Sequence, residues 1–340
     1  MKQPSVSLTA LVIALGLATA GFAHAQATSA SSGQATSTGS GQAYPNKPVR
    51  LVVGFAPGGG VDVTARIVGP KLTELWGQPV VIDNRGGAGG TIGTDIAAKA
   101  PPDGYSLLLC GIWSHGVAPS LYKKLPYDHY KDFAPVSMIG TTPNVLVVHP
   151  SLPPKSVSEF VAYGKANSGK LVVASPGTGS SPHMTMELFR LTTGADFVHV
   201  PYKGSGPALI DLLGGHIGAM FDNMSTQLAL MKSGRTRAIA VTSPKRSAHL
   251  PDVPTMRESG VAIDVTVWYG ICAPAAVPKP ILAKLNADLN RVLNAADTQR
   301  RLSEVGIDAT PSTPEQFAAF IKSETETWAR VVREAKVPLQ

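Results

Sequence analysis

Two stretches of this 340-residue chain place residue types at spacings that suit the capture of an anion. In residues 55–62, FAPGGGVD, an apolar run ends at Phe55, and Pro57, Gly58 and Gly59 lead into helical periodicity from Val61. Glycine lets the backbone turn sharply and approach a ligand with no Cβ in the way. The unpaired amides of a helix's first turn then point outward, with roughly half a positive charge among them. Asp62 reads as a first-turn acid or cap that orients the loop or meets a ligand donor. Residues 175–184, SPGTGSSPHM, repeat the arrangement: Gly177, Thr178, Gly179, Ser180 and Ser181 precede a helix opening at Pro182, with His183 as a helix-start donor. A third glycine loop, residues 84–93, carries Arg85, which reads as a partner for Asp83 ahead of a ligand cation. Trp113 and His115 follow the strand YSLLLC, where an α/β crevice opens. Asp222, near the end of the strand IGAMFDN, completes the ligand-binding candidates.

Catalytic and cofactor readings fare less well. His183 and Glu187 share a helix face, but no second histidine makes an HExxH pair, so no metal is expected. Ser180 and Ser181 lie near His183 without the Gly-x-Ser-x-Gly of a nucleophile elbow, so no catalytic residue is assigned. No lysine of the Walker type follows the glycine triplet, and no cofactor is expected. The net charge of +7 is dispersed among acids with no basic run, which argues against a nucleic-acid partner. Cys110 and Cys272 both end apolar runs, and two buried thiols or one disulfide are equally compatible with that.

The elements that position these loops alternate. Short apolar strands, glycine turns and helical periodicity follow one another, the pattern of βαβ units with a parallel-rich sheet covered by helices. Residues 1–25 have the three parts of a secretory signal: Lys2, an uncharged apolar run over 8–20, and Ala23-His24-Ala25 before the cut. That places the mature chain in the periplasm. Residues 26–43 read as a flexible Ser/Thr/Gly/Ala/Gln leader. The remainder exceeds one usual core, so two α/β lobes are expected, with an interlobe cleft. Pro-punctuated stretches at 134–150 and 265–278 read as the crossings. Lobe 1 then comprises 44–142 and 267–340, and lobe 2 comprises 143–266.

Taken in order, FAPGGGVD, NRGGAGGTIGTDIAAKAPPDGYSLLL, SPGTGSSPHM, VPYKGSGPALIDLLGGHIGAMFDN, RAIAVTSPKRSAHLPDVPTMRESG and WYGICAPAAVPKP resemble the Bug family. These are the TctC-like binding components of tripartite tricarboxylate transporters. The resemblance implies a two-lobed periplasmic binding protein (type II-like) that is no enzyme. It implies a di- or tricarboxylate held by the loops at 57–62 and 177–183, and two integral membrane transporter subunits as partners. It also leaves room for an alternative role as an extracytoplasmic sensor input. A monomer is expected. One departure is CGIWSHG, where the family commonly continues with small residues; bulky Trp113 there favours an aromatic or amphipathic acid.

Overall fold

Apolar alternation and its punctuation set the element order in a computed structural model that describes residues 44–334 and 337–340. The signal segment and leader expected over 1–43 lie outside the described residues. VRLVV forms β1 (Val49–Val53), almost wholly buried, as a central parallel strand must be. It leads through the glycine triplet to α1 (Gly60–Trp76), then β2 (Val80–Asn84), α2 (Thr91–Ala98) and β3 (Ser106–Gly111). A wide helical turn at Ile112–Val117 and the short α3 (Ala118–Leu121) follow. Next come β4 (Phe133–Val148), α4 (Val157–Ala166), β5 (Val172–Ser175), α5 (Ser181–Thr193), β6 (Val198–Pro201) and α6 (Ser205–Leu213). The order continues with β7 (Ala219–Asn223), α7 (Met224–Lys232), β8 (Arg237–Val241) and β9 (Thr266–Pro274). It closes with α8 (Lys279–Asn294), α9 (Ala296–Glu304), β10 (Asp308–Ala309) and α10 (Pro314–Glu334).

The strands form one path, β2-β1-β3-β9-β4-β7-β5-β6, with β8 and β10 also on β4. β2, β1 and β3 are parallel to one another, and so are β7, β5 and β6. Between these two parallel groups stand the antiparallel strands β9 and β4. β4 is the shared element. Its residues 133–143 pair with β9, and residues 144–148 pair with β7 and β8.

The segments expected as crossings are therefore regular strands that pair with each other, from Phe133↔Pro274 to Pro143↔Thr266. Pro135 inside β4 is tolerated because the register slips directly after it, as bulged strands allow. Cys110 and Cys272 form a disulfide across β3 and β9, with Cα atoms 6.0 Å apart. Trp268 and Tyr269 on β9 are fully buried, and the Trp268 Nε1–H donates to Glu324 Oε2 at 3.0 Å. The described residues cluster as one compact unit. Among the described residues, no helix is long and apolar enough to cross a membrane.

Candidate functional site

The loop after β1 is held open by its own acid. Gly58 sits at φ +87°, a left-handed conformation that favours glycine, and its N–H donates to Asp62 Oδ2 at 2.9 Å. The same carboxylate accepts Arg66 Nε at 2.8 Å and Asn84 Nδ2 at 3.0 Å. Burial would raise this carboxyl; Arg66, the Gly58 amide and Asn84 together hold it below its ordinary value. Asp62 is thus spent on the loop. Gly59 caps α1 with no side-chain bond, so the first-turn amides of Gly60 and Val61 stay open to a ligand. A Cβ on Gly60 would strike Ser225 Oγ and come within 2.7 Å of Tyr269 Oη, so only glycine lets α1 start this close to the opposite wall.

The second loop is braced by histidine. Ser180 caps α5: its Oγ accepts the His183 N–H at 3.3 Å and donates to the Gly177 carbonyl at 2.6 Å. Gly179 N–H donates to His183 Nδ1 at 3.1 Å, which leaves the ring proton of neutral His183 on Nε2. Burial, then Arg190, pushes His183 down to about 4, and burial with His183 beside it does the same to His199. The two rings stack at 4.9 Å. His199 joins His183 and Glu187 in a group whose donor atoms lie within 4.8 Å of one another, a meeting that spacing along the chain did not show. The Gly179 amide already occupies one His183 nitrogen and the other carries the proton, so the group reads as a neutral brace for the loop.

Both loops line one narrow cavity of about 10 Å³, about the room one water needs. Gly59, Gly60 and Val61 face it from α1, and Pro176, Ser180, Ser181 and Pro182 from the start of α5. Ser205 opens α6, and Asn223 caps α7. Four helix N-termini therefore meet at one void, and among the described residues no Lys or Arg lines it. Aligned first-turn amides make such a place favourable for an anion. Phe55 and Trp113 form an aromatic corner, edge to face at 5.2 Å. Behind Ser205 and Asn223 lies fully buried Asp222, whose Oδ1 accepts the Ser205 hydroxyl at 2.6 Å and the Asn223 N–H at 2.8 Å. Burial raises this carboxyl to about 6, against the lowering effect of Ser205, Gln227 and Asn223.

Of the candidates taken from sequence, Phe55, Gly59, Trp113, Ser180 and Ser181 line the cavity. Gly58, Asp62, Gly177, Gly179 and His183 instead hold the two loops in shape. Thr178 offers its carbonyl to the Tyr122 hydroxyl at 3.4 Å, and the Pro57 carbonyl packs against Gly206. Asp222 acts through its neighbours. His115 lies elsewhere: it is buried against Phe133, 5.0 Å between ring centroids, with Nδ1 on Ser114 Oγ at 2.8 Å. Arg85 pairs with Asp83 at 2.9 Å. Ser205 and Asn223 escaped the sequence reading, although KGSGP after an apolar strand repeats the glycine-then-helix signal of the first two loops.

Residues 64–337 match the model of the tripartite tricarboxylate transporter family receptor. The chain belongs to that receptor family. The receptor is 42% identical over 299 residues to Protein BugT of Bordetella pertussis, covering 87% of this chain and 92% of that one. Among solved structures, periplasmic binding protein BugD is 37% identical with a TM-score of 0.85, covering 87% of this chain and all of that one. MatC from Rhodopseudomonas palustris with bound malate is 35% identical, with a TM-score of 0.82 over 85% of this chain and all of that one. An R. palustris protein with adipate is 33% identical, with a TM-score of 0.83 over 87% of this chain and all of that one. Family and fold are those of periplasmic solute-binding proteins, which are not enzymes.

Proposed function

We propose that this receptor captures a small organic carboxylate at the four helix N-termini and delivers it to the membrane subunits of a tripartite tricarboxylate transporter. The observation that carries the reading is a cavity at helix starts, three of which (α1, α6 and α7) carry no side-chain cap, with no lysine or arginine among the described residues that line it. Uncapped first-turn amides bind a carboxylate through charge-assisted hydrogen bonds, and no buried cation is left unpaired on release. The malate and adipate carried by two structural neighbours support the ligand class.

Residues 44–142 and 267–340 form one lobe and 143–266 the other, with β4 and β9 as the hinge between them. The chain is exported by cleavage near Ala25 and works as a monomer in the periplasm. Ligand carried over from the host and identified by native mass spectrometry, followed by calorimetric titration with that acid, tests the reading. Binding of a neutral sugar or a cation, with no affinity for any carboxylate, would overturn it. A sensor input uses the same cavity, and co-purification with a sensor kinase instead of the membrane subunits would select it.

A further inference from the structure

Most groups that line the cavity are backbone amides or apolar, and its serine hydroxyls turn their protons inward: Ser180 to the Gly177 carbonyl at 2.6 Å and Ser181 to Asn144 Oδ1 at 3.5 Å. The Ser205 hydroxyl has one proton, and it goes to Asp222 Oδ1 at 2.6 Å. Gln227 accepts Thr236 Oγ1 at its Oε1 (3.3 Å), which turns its Nε2 toward Asp222 Oδ2 at 2.9 Å. With the Asn223 N–H at 2.8 Å, three donors converge on the Asp222 carboxylate, an arrangement made for its ionised form. Ser205 Oγ therefore shows the cavity lone pairs only.

Asn223 is fixed in the same sense. Asn144 Nδ2 donates to Thr185 Oγ1 at 2.8 Å, so Asn144 Oδ1 receives Asn223 Nδ2, also at 2.8 Å. The second hydrogen of that amide faces Ser181 Oγ at 3.4 Å. Both Asn223 hydrogens are used, and its Oδ1 is left as an acceptor directed at the start of α1, 3.1 Å from where a Gly60 Cβ would stand.

A plain carboxylic acid ionised at neutral pH has acceptors alone. It satisfies the amides and leaves Ser205 Oγ and Asn223 Oδ1 facing apolar carbon. We propose that the wall formed by Ser205 and Asn223 reads a hydrogen-bond donor on the ligand, so that the receptor prefers a hydroxy- or amino-substituted carboxylate to the unsubstituted acid of the same length. This rests on the carboxylate reading above and narrows it. Asp222 is a positioning residue here: it touches no ligand and sets which way the Ser205 proton points.

Calorimetric titration of the full chain with matched pairs tests the proposal: malate against succinate, lactate against propionate, mandelate against phenylacetate. The substituted member of at least one pair is expected to bind about tenfold or more tightly, the effect of leaving a buried acceptor unmet. Ser205→Ala is expected to lower that ratio severalfold. Should Ser205→Ala fail to fold, the wild-type pairs decide alone. Equal or tighter binding of the plain acids overturns the inference and leaves the carboxylate reading standing. A preference that Ser205→Ala leaves undiminished removes its assignment to this wall. If no acid of either kind binds, both readings fall.

Discussion

Replacing Asp222 by Asn gives a direct measure of what the buried carboxylate costs the fold. Its carboxyl is raised from 3.8 to about 6 by burial. A group with a raised folded-state value contributes stability below its unfolded value and loses it as pH rises through the folded one. Here that window runs from pH 3.8 to about 6. A gap of roughly two pH units corresponds to about 3 kcal/mol. His183 and His199 titrate in an overlapping range with the opposite sign, because burial holds both down near 4. The wild-type curve alone is therefore not diagnostic, but its difference from Asp222→Asn is. Tyr269, the other titratable group facing Asp222, is itself pushed upward by burial and stays neutral throughout. Urea denaturation of both proteins between pH 4 and 7.5 should show the wild type losing about 3 kcal/mol relative to the variant as pH rises. A difference that stays constant across that range would refute the reasoning, since Asp222 would then titrate alike in folded and unfolded chains.

Gly60→Ala is expected to fold but to weaken binding about tenfold or more by calorimetry, because its Cβ meets Tyr269 Oη and Ser225 Oγ where the walls close. Stability should fall as pH drops from about 6.5 to 4, as buried His183 and His199 are forced to charge, and denaturation midpoints should show a shallower fall in His183→Gln. The Cys110–Cys272 bridge closes a span of 162 residues, for which the chain-entropy argument gives about 5 kcal/mol. Cys110→Ser with Cys272→Ser should therefore lower the denaturation midpoint strongly, and reductant should change the wild type alone.

The strand-to-helix loops were legible because their chemistry is local. Three glycines between VRLVV and a helical period, or Ser180 before Pro182, announce a helix N-terminus without any tertiary information. What faces a cavity is not local. Asp62 and His183 carried the strongest chemical signals in their loops, and both turn inward to hold them. His115 stands two residues from Trp113, yet the wide turn at Ile112–Val117 sends one ring to the cavity and the other into the core. Ser205 and Asn223 come from different helices and matter only because Asp222 and Asn144, far apart along the chain, fix their protons. Pro135 obscured β4, since a bulge that accommodates proline depends on the partner strand.

Among the described residues, few polar contacts join the two sides of the cavity. The Ala56 N–H reaches the Lys203 carbonyl at 3.1 Å, Tyr122 Oη reaches the Thr178 carbonyl at 3.4 Å, and Ser225 Oγ stands 3.3 Å from Tyr269 Oη. The first is of ordinary length, and the two hydroxyl contacts lie at the weak end of hydrogen bonding. They bring the β1–β3 side and the β5–β7 side together without locking them. Under the two-lobe reading proposed above, a ligand bridging the α1 amides and the Ser205–Asn223 wall would touch both sides at once, and its differential affinity for the closed form would shift the equilibrium. A lysine in the cavity would change this balance. With the carboxylate gone it would be an unpaired buried charge, and it would hold the carboxylate too firmly for delivery. Neutral amides avoid both penalties, and their alignment at helix starts supplies the attraction that a formal charge would otherwise provide.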